Sequence, residues 1–316
     1  MHHLDRAAVA KALPYHALVD ALETAFRDGV TTPLRGHHEI SVPGGTDGAM
    51  LVMPAWKAGC YIVVKMVSVF PDNANRGLAS VQGIVVLIDA TTGQPRATLD
   101  GPEITGRRTA AASALAARYL ARPDAHHLLV MGAGTLGGHL ARAHSAVRPI
   151  RQISVWNRTP ARAEKLADDL RRDGFEAAAV AQPDAAMRTA DIVSCATMSP
   201  IPLVHGALLK PGVHVDVVGA YRPDMRETDD DTVRRARIFV DTREGAHAEA
   251  GDILLPLERG VIADSDIRGD LFSLCHGATT GRESATDITM FKSVGTAVED
   301  WAAAVLAYEI SSSTTP

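Results

Sequence analysis

From His127 onward the chain alternates short apolar runs with helix-patterned segments, and the first junction between them is rich in glycine. Leu128-Leu129-Val130-Met131 leads into Gly132-Ala133-Gly134, and a helical pattern follows over 136–147. Further apolar runs lie at 153–156, 191–195, 213–218 and 238–241, with a second helical pattern at 161–172. Strands alternating with helices in this way imply a doubly wound parallel sheet with crossover helices. Gly132-x-Gly134-x-x-Gly137 sits where a strand hands over to a helix. There glycines allow a tight turn and let a pyrophosphate reach the free N–H groups and positive dipole of the helix start, here at Thr135 and Leu136. A ligand-free glycine-rich turn is the weaker alternative, so the turn implies a bound dinucleotide on a Rossmann-type α/β domain.

The end of the second strand bears on which dinucleotide. An NAD site usually carries an acid there for the ribose hydroxyls, whereas a 2′-phosphate wants a cation and small donors. This strand ends Trp156-Asn157-Arg158-Thr159, with no acid. Arg158 is placed to lie against the adenine and pair with a phosphate, while Asn157 and Thr159 offer neutral hydrogen bonds. The expectation is NADPH, with NADH possible; the alternative makes Arg158 a solvated surface residue.

At 316 residues the chain accommodates two domains. Hydrophobic content of 46%, charged content of 22% and a net charge of −5 suit a folded protein with no general attraction to phosphate polymers, which argues against nucleic-acid binding. The three cysteines, Cys60, Cys195 and Cys275, are far apart and suggest neither disulfides nor a metal site. No apolar run reaches membrane-spanning length and no secretory leader opens the sequence, so a cytoplasmic protein without membrane contact is expected.

Before residue 123 the pattern differs. Leu18, Leu22 and Phe26 recur every four residues ahead of Gly29, which reads as an amphipathic helix with a glycine stop. Strand-like runs at 49–53, 61–67, 84–89 and 96–99 imply a mixed or antiparallel sheet, and 105–121 reads as an alanine-rich helix. The expected division is a substrate-binding and dimerisation α+β domain over 1–122, a dinucleotide domain over 123–289, and a C-terminal segment over 290–316 that rejoins the first domain. In that reading 288–292 and 297–308 both return to the first domain, and the polar tail 311–316 is frayed. Lys65 lies inside Val63-Val64-Lys65-Met66-Val67, where a charge is costly unless paired or functional. Arg108 lies near the start of an otherwise apolar helix, and Arg35 follows Thr32-Pro33-Leu34. Three such cations suit a bound carboxylate and a proton donor; each alone is equally consistent with a structural ion pair or a solvated side chain.

The sequence resembles the ornithine cyclodeaminase/mu-crystallin family over nearly its whole length. The matching pieces are Met53-Pro54, Lys65 with Phe70-Pro71-Asp72-Asn73, Thr91-Thr92-Gly93, Arg108-Thr109-Ala110-Ala111, Gly132-Ala133-Gly134, Gly219-Ala220 and Lys292-Ser293-Val294-Gly295. The resemblance implies a homodimer in which Arg35, Met53, Lys65 and Arg108 contact the substrate. It also implies that Ser80, Arg108, Thr197, Met198, Gly219 and Ser293 line the cofactor beside the glycine turn.

One departure is informative. Cyclodeaminases of the family carry an aspartate two residues after the glycine that matches Gly219, and this chain has Tyr221 there. A phenol with an ordinary pKa near ~10 is a poor base at neutral pH, which argues against ammonia loss from ornithine. The stretch instead resembles the imine-reducing branch, including the 1-pyrroline-2-carboxylate reductases of hydroxyproline catabolism and the ketimine reductase activity of mu-crystallin. The implied reaction is hydride transfer to a cyclic imino acid, five- or six-membered, giving L-proline or L-pipecolate, with Lys65 as the catalytic proton source. A cyclodeaminase, an alanine dehydrogenase and a non-catalytic NADPH-dependent binding protein remain as rivals. The acids Asp224, Glu227, Asp229, Asp230 and Asp231 read as a helix cap and a solvated face.

Overall fold

The computed structural model describes residues 1–313, so the last part of the expected tail, 314–316, lies outside the described residues. The chain divides into two units, Met1–Arg108 with Thr296–Pro316, and Thr109–Gly295.

The first unit holds a sheet of β1 (His2–Leu4), β2 (Gly36–Ile40), β3 (Gly48–Trp56), β4 (Tyr61–Val69), β5 (Val81–Asp89) and β6 (Pro95–Asp100), in the order β1-β6-β5-β4-β3-β2. Neighbours run antiparallel except β1 and β6, which are parallel. Strand side chains alternate between faces. One face buries Met53, Ala55, Val63, Lys65, Val85, Leu87, Ala97 and Leu99, whereas Met66 and Ile84, paired across β4 and β5, remain 37% and 39% exposed. α1 (Arg6–Ala12), α2 (Tyr15–Arg27) and the C-terminal helix (Ala297–Ser313) pack together, and the C-terminal helix also lies against β3 and β4. Leu18, Val19, Leu22 and Phe26 of α2 are buried, as their spacing requires. The short edge strands β1 and β2 carry little sequence signal: β2 is Gly-His-His-Glu-Ile, with no apolar alternation and four of its five residues exposed. Ser311 to Ser313 continue the C-terminal helix.

α3 (Gly101–Leu120) begins in the first unit, and the division falls inside it, between Arg108 and Thr109. The second unit contains β7 (His127–Met131), β8 (Gln152–Trp156), β9 (Glu176–Ala179), β10 (Ile192–Cys195), β11 (His214–Val217), β12 (Ala236–Val240), β13 (Ile267–Asp270) and β14 (Ile288–Lys292). They form a parallel sheet in the order β13-β12-β14-β11-β10-β7-β8-β9, the doubly wound α/β class expected. Both faces are covered: Leu129 and Met131 of β7 enter one apolar cluster, Leu128 and Val130 the other. The strand order reverses between β7 and β10, flanked by α4 (Thr135–Val147) and α5 (Pro160–Arg172) on the β8 side of the chain. One expectation is corrected here. Residues 288–292 do not return to the first unit; they form β14, inserted between β11 and β12. All five of its residues are buried, the unalternating run of a central parallel strand. Among the described residues no helix is long and apolar enough to cross a membrane.

Candidate active site

In the second unit the glycine turn has the geometry that a dinucleotide needs. Gly132 has φ of +110°, and a Cβ there would lie 2.5 Å from the Ala196 carbonyl oxygen. A Cβ on Gly137 would lie 2.2 Å from the Gly132 carbonyl, so α4 can start this close to the strand only with glycine. Gly134 has nothing within 4 Å of its would-be Cβ, and no side chain caps the helix that follows. An open shelf, exposed at Gly134 and Thr135, thus ends in the uncapped N–H groups of a 13-residue helix, which suits a pyrophosphate. Asn157 also has a part in the turn itself. Its Oδ1 accepts from the Ala133 N–H at 3.0 Å and its Nδ2 donates to the Thr159 carbonyl at 3.0 Å, so both ends of the amide shape the turn. Arg158 and Thr159 are exposed, and the described residues give Arg158 no ion pair or hydrogen bond.

Beyond the reversal point lie the ends of β10 and β11. Glu227 is fully buried behind them. Its Oε1 accepts from the Thr197 N–H at 2.6 Å and hydroxyl at 2.7 Å, and its Oε2 accepts from the Gly219 and Ala220 N–H groups at 2.7 and 3.1 Å. A Cβ on Gly219 would lie 1.8 Å from the Thr197 carbonyl oxygen, which explains a glycine there. Behind Glu227, Asp252 accepts from the N–H groups of Glu227 and Thr228 at 2.9 Å each and faces Lys292 Nζ at 3.2 Å, all of these side chains being buried. Burial pushes the Glu227 carboxyl up, Lys292 opposes this, and Asp252 adds to it. The solvated-face reading of the acidic run therefore fails at Glu227. It holds in part elsewhere: Asp229 caps the helix Asp230–Arg235, and exposed Asp224 pairs with Arg222. Ser293 is buried and donates to Asp241 at 3.2 Å, whereas Met198 is 70% exposed and Tyr221 44% exposed.

The first unit gathers the other candidates. Lys65 is 1% exposed, and its Nζ donates to Asp300 Oδ1 at 2.8 Å. Arg108 donates to Glu299 Oε2 at 2.5 Å, and its Nε lies 2.9 Å from the same Asp300 oxygen. Met53 sits directly across from Lys65 in the β3–β4 register and is buried with it. Arg35 is half-buried and near enough for its charge to act on Asp300. Burial lowers the Lys65 pKa to about 8, helped by Arg108 and opposed by Asp300. Burial alone would raise Asp300; Arg108 and Lys65 together hold it below the usual carboxylate value. The structure therefore joins Arg35, Met53, Lys65 and Arg108 and adds Glu299 and Asp300, which the sequence reading passed over. Both acids stand in the first turn of the C-terminal helix, where acids ordinarily serve the helix dipole from solvent, yet both are fully buried. Their signal was the surrounding sequence, Thr296-Ala297-Val298 before and Trp301-Ala302-Ala303-Ala304 after, which leaves them no polar face. Ser80 is half-buried; its carbonyl accepts the Phe70 N–H and its hydroxyl faces the Pro71 carbonyl at 3.5 Å.

Comparison with known proteins extends this description. The model of the ornithine cyclodeaminase/mu-crystallin family matches residues 2–315. A Delta(1)-pyrroline-2-carboxylate reductase of Paracoccus denitrificans is 43% identical over 279 residues, covering 87% of each chain. The ketimine reductase mu-crystallin of Rattus norvegicus is 35% identical, covering 92% of this chain and 91% of its own. The solved structure of Thermococcus litoralis Delta(1)-pyrroline-2-carboxylate reductase, in complex with NADH and L-proline, superposes with a TM-score of 0.91 at 35% identity, covering 99% of this chain and 98% of that one. A glycine turn on the doubly wound sheet of the second unit, a buried cluster around Lys65 and Arg108 in the first, and a family match over residues 2–315 make this chain a member of the ornithine cyclodeaminase/mu-crystallin family.

Proposed function

We propose that the protein is an oxidoreductase that reduces cyclic imine carboxylates, 1-pyrroline-2-carboxylate or 1-piperideine-2-carboxylate, to L-proline or L-pipecolate. The observation that carries this reading is the buried Lys65–Asp300–Arg108 cluster, in which a lysine with a pKa of about 8 sits beside an arginine inside an apolar unit. Arg108 and Arg35 hold the substrate carboxylate, and Met53 packs the ring. Lys65 gives a proton to the imine nitrogen, which makes the adjacent carbon a stronger hydride acceptor. When bound, the reduced nicotinamide supplies the hydride; the protein supplies orientation and charge. Gly132, Gly134, Thr135 and Leu136 hold the pyrophosphate, Arg158 and Thr159 the adenine end with Asn157 fixing the turn, and Thr197, Met198, Gly219, Ser293, Ser80 and Arg108 the remainder. Exposed Arg158, with no ion pair or hydrogen bond among the described residues, supports NADPH as the preferred cofactor, with NADH as a second.

In this reading the first unit is the substrate-binding and dimerisation domain and the second the dinucleotide domain. The exposed Met66–Ile84 pair on the outer sheet face supports a homodimer formed there. Three free cysteines suit a reducing cytoplasm. A role in proline metabolism, including hydroxyproline breakdown, follows from the substrate. The test is a spectrophotometric screen of both imines, and of pyruvate with ammonia, against each reduced cofactor. Oxidation of NADPH by an imine is expected; its absence with both rings overturns the proposal.

A further inference from the structure

Glu227 stands out among the buried groups because binding and proton transfer leave it without an assigned part. Three backbone N–H groups, which can only donate, reach its carboxyl, and each oxygen receives at least one of them. Three N–H donors converging on two oxygens favour the ionised carboxylate and work against the burial that pushes this carboxyl up. The Thr197 hydroxyl and the Cys195 thiol, pushed up by burial, are neutral partners as well. Lys292, the cation that acts on Glu227, faces Asp252, whose other oxygen is occupied by the N–H groups of Glu227 and Thr228. One lysine thus serves two carboxylates, and with all three ionised Lys292, Asp252 and Glu227 carry one net negative charge.

The position of that charge gives it a use. In a doubly wound sheet the dinucleotide lies across the point where strand order reverses, here between β7 and β10. The glycine turn after β7 takes the pyrophosphate, and the neighbouring ends of β10 and β11, at Thr197 and Gly219, take the nicotinamide half. Glu227 is one hydrogen bond behind both of these residues, in a fully buried and weakly screened setting. A nicotinamide ring is cationic only when oxidised. We infer that Glu227 tunes the bound cofactor by favouring its oxidised form over its reduced form, making hydride donation toward the imine more downhill than in water. This rests on the dinucleotide site proposed above and adds to it a positioning residue that acts through charge.

The experiment measures dissociation constants of reduced and oxidised cofactor, using nucleotide fluorescence and competitive displacement, on the full chain and on Glu227→Gln, Asp252→Asn and Thr228→Val. The first two keep side-chain shape and remove the net negative charge. The third removes a hydroxyl that donates to Asp252 at 2.8 Å and leaves the charge unchanged. In Glu227→Gln the ratio of oxidised to reduced dissociation constants rises at least tenfold, an upward shift of about 30 mV for a two-electron couple. Asp252→Asn moves it in the same direction, and it decides the matter if Glu227→Gln does not fold. Thr228→Val stays within twofold of the parent. A ratio that changes less than twofold in both charge variants overturns the inference, as does a Thr228→Val shift equal to that of Glu227→Gln, which would mark a packing effect. Failure of the parent chain to bind either form overturns the dinucleotide site itself, and is distinguishable because no ratio then exists.

Discussion

Replacing Asp300 by asparagine removes the charge that keeps Lys65 protonated while preserving the shape of the cluster. With a Lys65 pKa of about 8, the lysine is about nine-tenths protonated at pH 7 and about one-tenth at pH 9, so kcat/KM for imine reduction falls along a basic limb centred near 8. Asp300 accepts from Lys65 at 2.8 Å with both side chains buried, and removing one partner of such a pair costs about 3 kcal/mol if the other stays charged. At about 1.4 kcal/mol per pKa unit this is about 2 units, which places the limb of Asp300→Asn near ~6. Arg108 remains and still opposes the lysine charge, so the shift has no compensation within the pair. Activity at pH 7 falls roughly tenfold and recovers as the buffer is made more acidic. The assay is a kcat/KM profile from pH 5 to 10 on parent and variant with the same imine; taking their ratio cancels titration of the substrate itself. A loss of rate with the limb unmoved would refute the reasoning, because Asp300 would then act on the substrate rather than on Lys65.

Four further outcomes follow. Arg158→Ala weakens NADPH binding about 10- to 100-fold, the worth of a charge-assisted hydrogen bond, and leaves NADH within about twofold, as titration with each cofactor will show. Gly132→Ala forces a side chain into a backbone with φ of +110° and within 2.5 Å of a carbonyl oxygen, so cofactor binding is lost and denaturant titration registers about 1–3 kcal/mol less stability. His214 is fully buried, and burial pushes its pKa down to about 3. The unfolded chain takes up that proton below about pH 6.5 and the folded one does not, so stability is lost as pH falls from about 6.5 toward 3; His214→Gln flattens this part of a pH–denaturation curve. Incubation with L-ornithine and oxidised cofactor releases no ammonia, since Tyr221 stands where a cyclodeaminase base is needed; measurable release would restore the deaminating alternative.

The turn after β7 and the parallel sheet could be read from the residues because their causes are local. A strand must end, a helix must begin, and a phosphate needs glycine between them. Lys65 was legible for the opposite reason: a charge inside five apolar residues has to be explained by something far away. What it pairs with was not legible, because Asp300 lies 235 residues later and periodicity reports which face a side chain occupies, never which element covers it. Residues 288–292 were misplaced for a related reason. Sequence order implied that the dinucleotide sheet had closed by then, but parallel strands are joined by long crossovers and the last to arrive can be inserted between earlier ones. Glu227 was hidden by its neighbours, for a run of five acids in eight residues looks like solvated surface until each carboxylate is followed to its donors.

The two buried clusters share a physical logic that connects these omissions. A lysine and an arginine serve a substrate best away from water, where their charges are least screened, but burial disfavors those same charges and pushes Lys65 down. Glu299 and Asp300, delivered together by one turn of the C-terminal helix, restore neutrality and oppose the burial that lowers the Lys65 pKa to about 8. In the second unit one lysine faces two carboxylates: Lys292 lies against Asp252 and also opposes the burial of Glu227, whose oxygens take three backbone N–H groups. In the proposed reaction, a neutralised cluster keeps Lys65 able to give up a proton, whereas two carboxylates facing one lysine leave a net negative charge beside the dinucleotide site. Reduction of an imine has a use for both, a proton supplied at nitrogen and a hydride that leaves its donor readily.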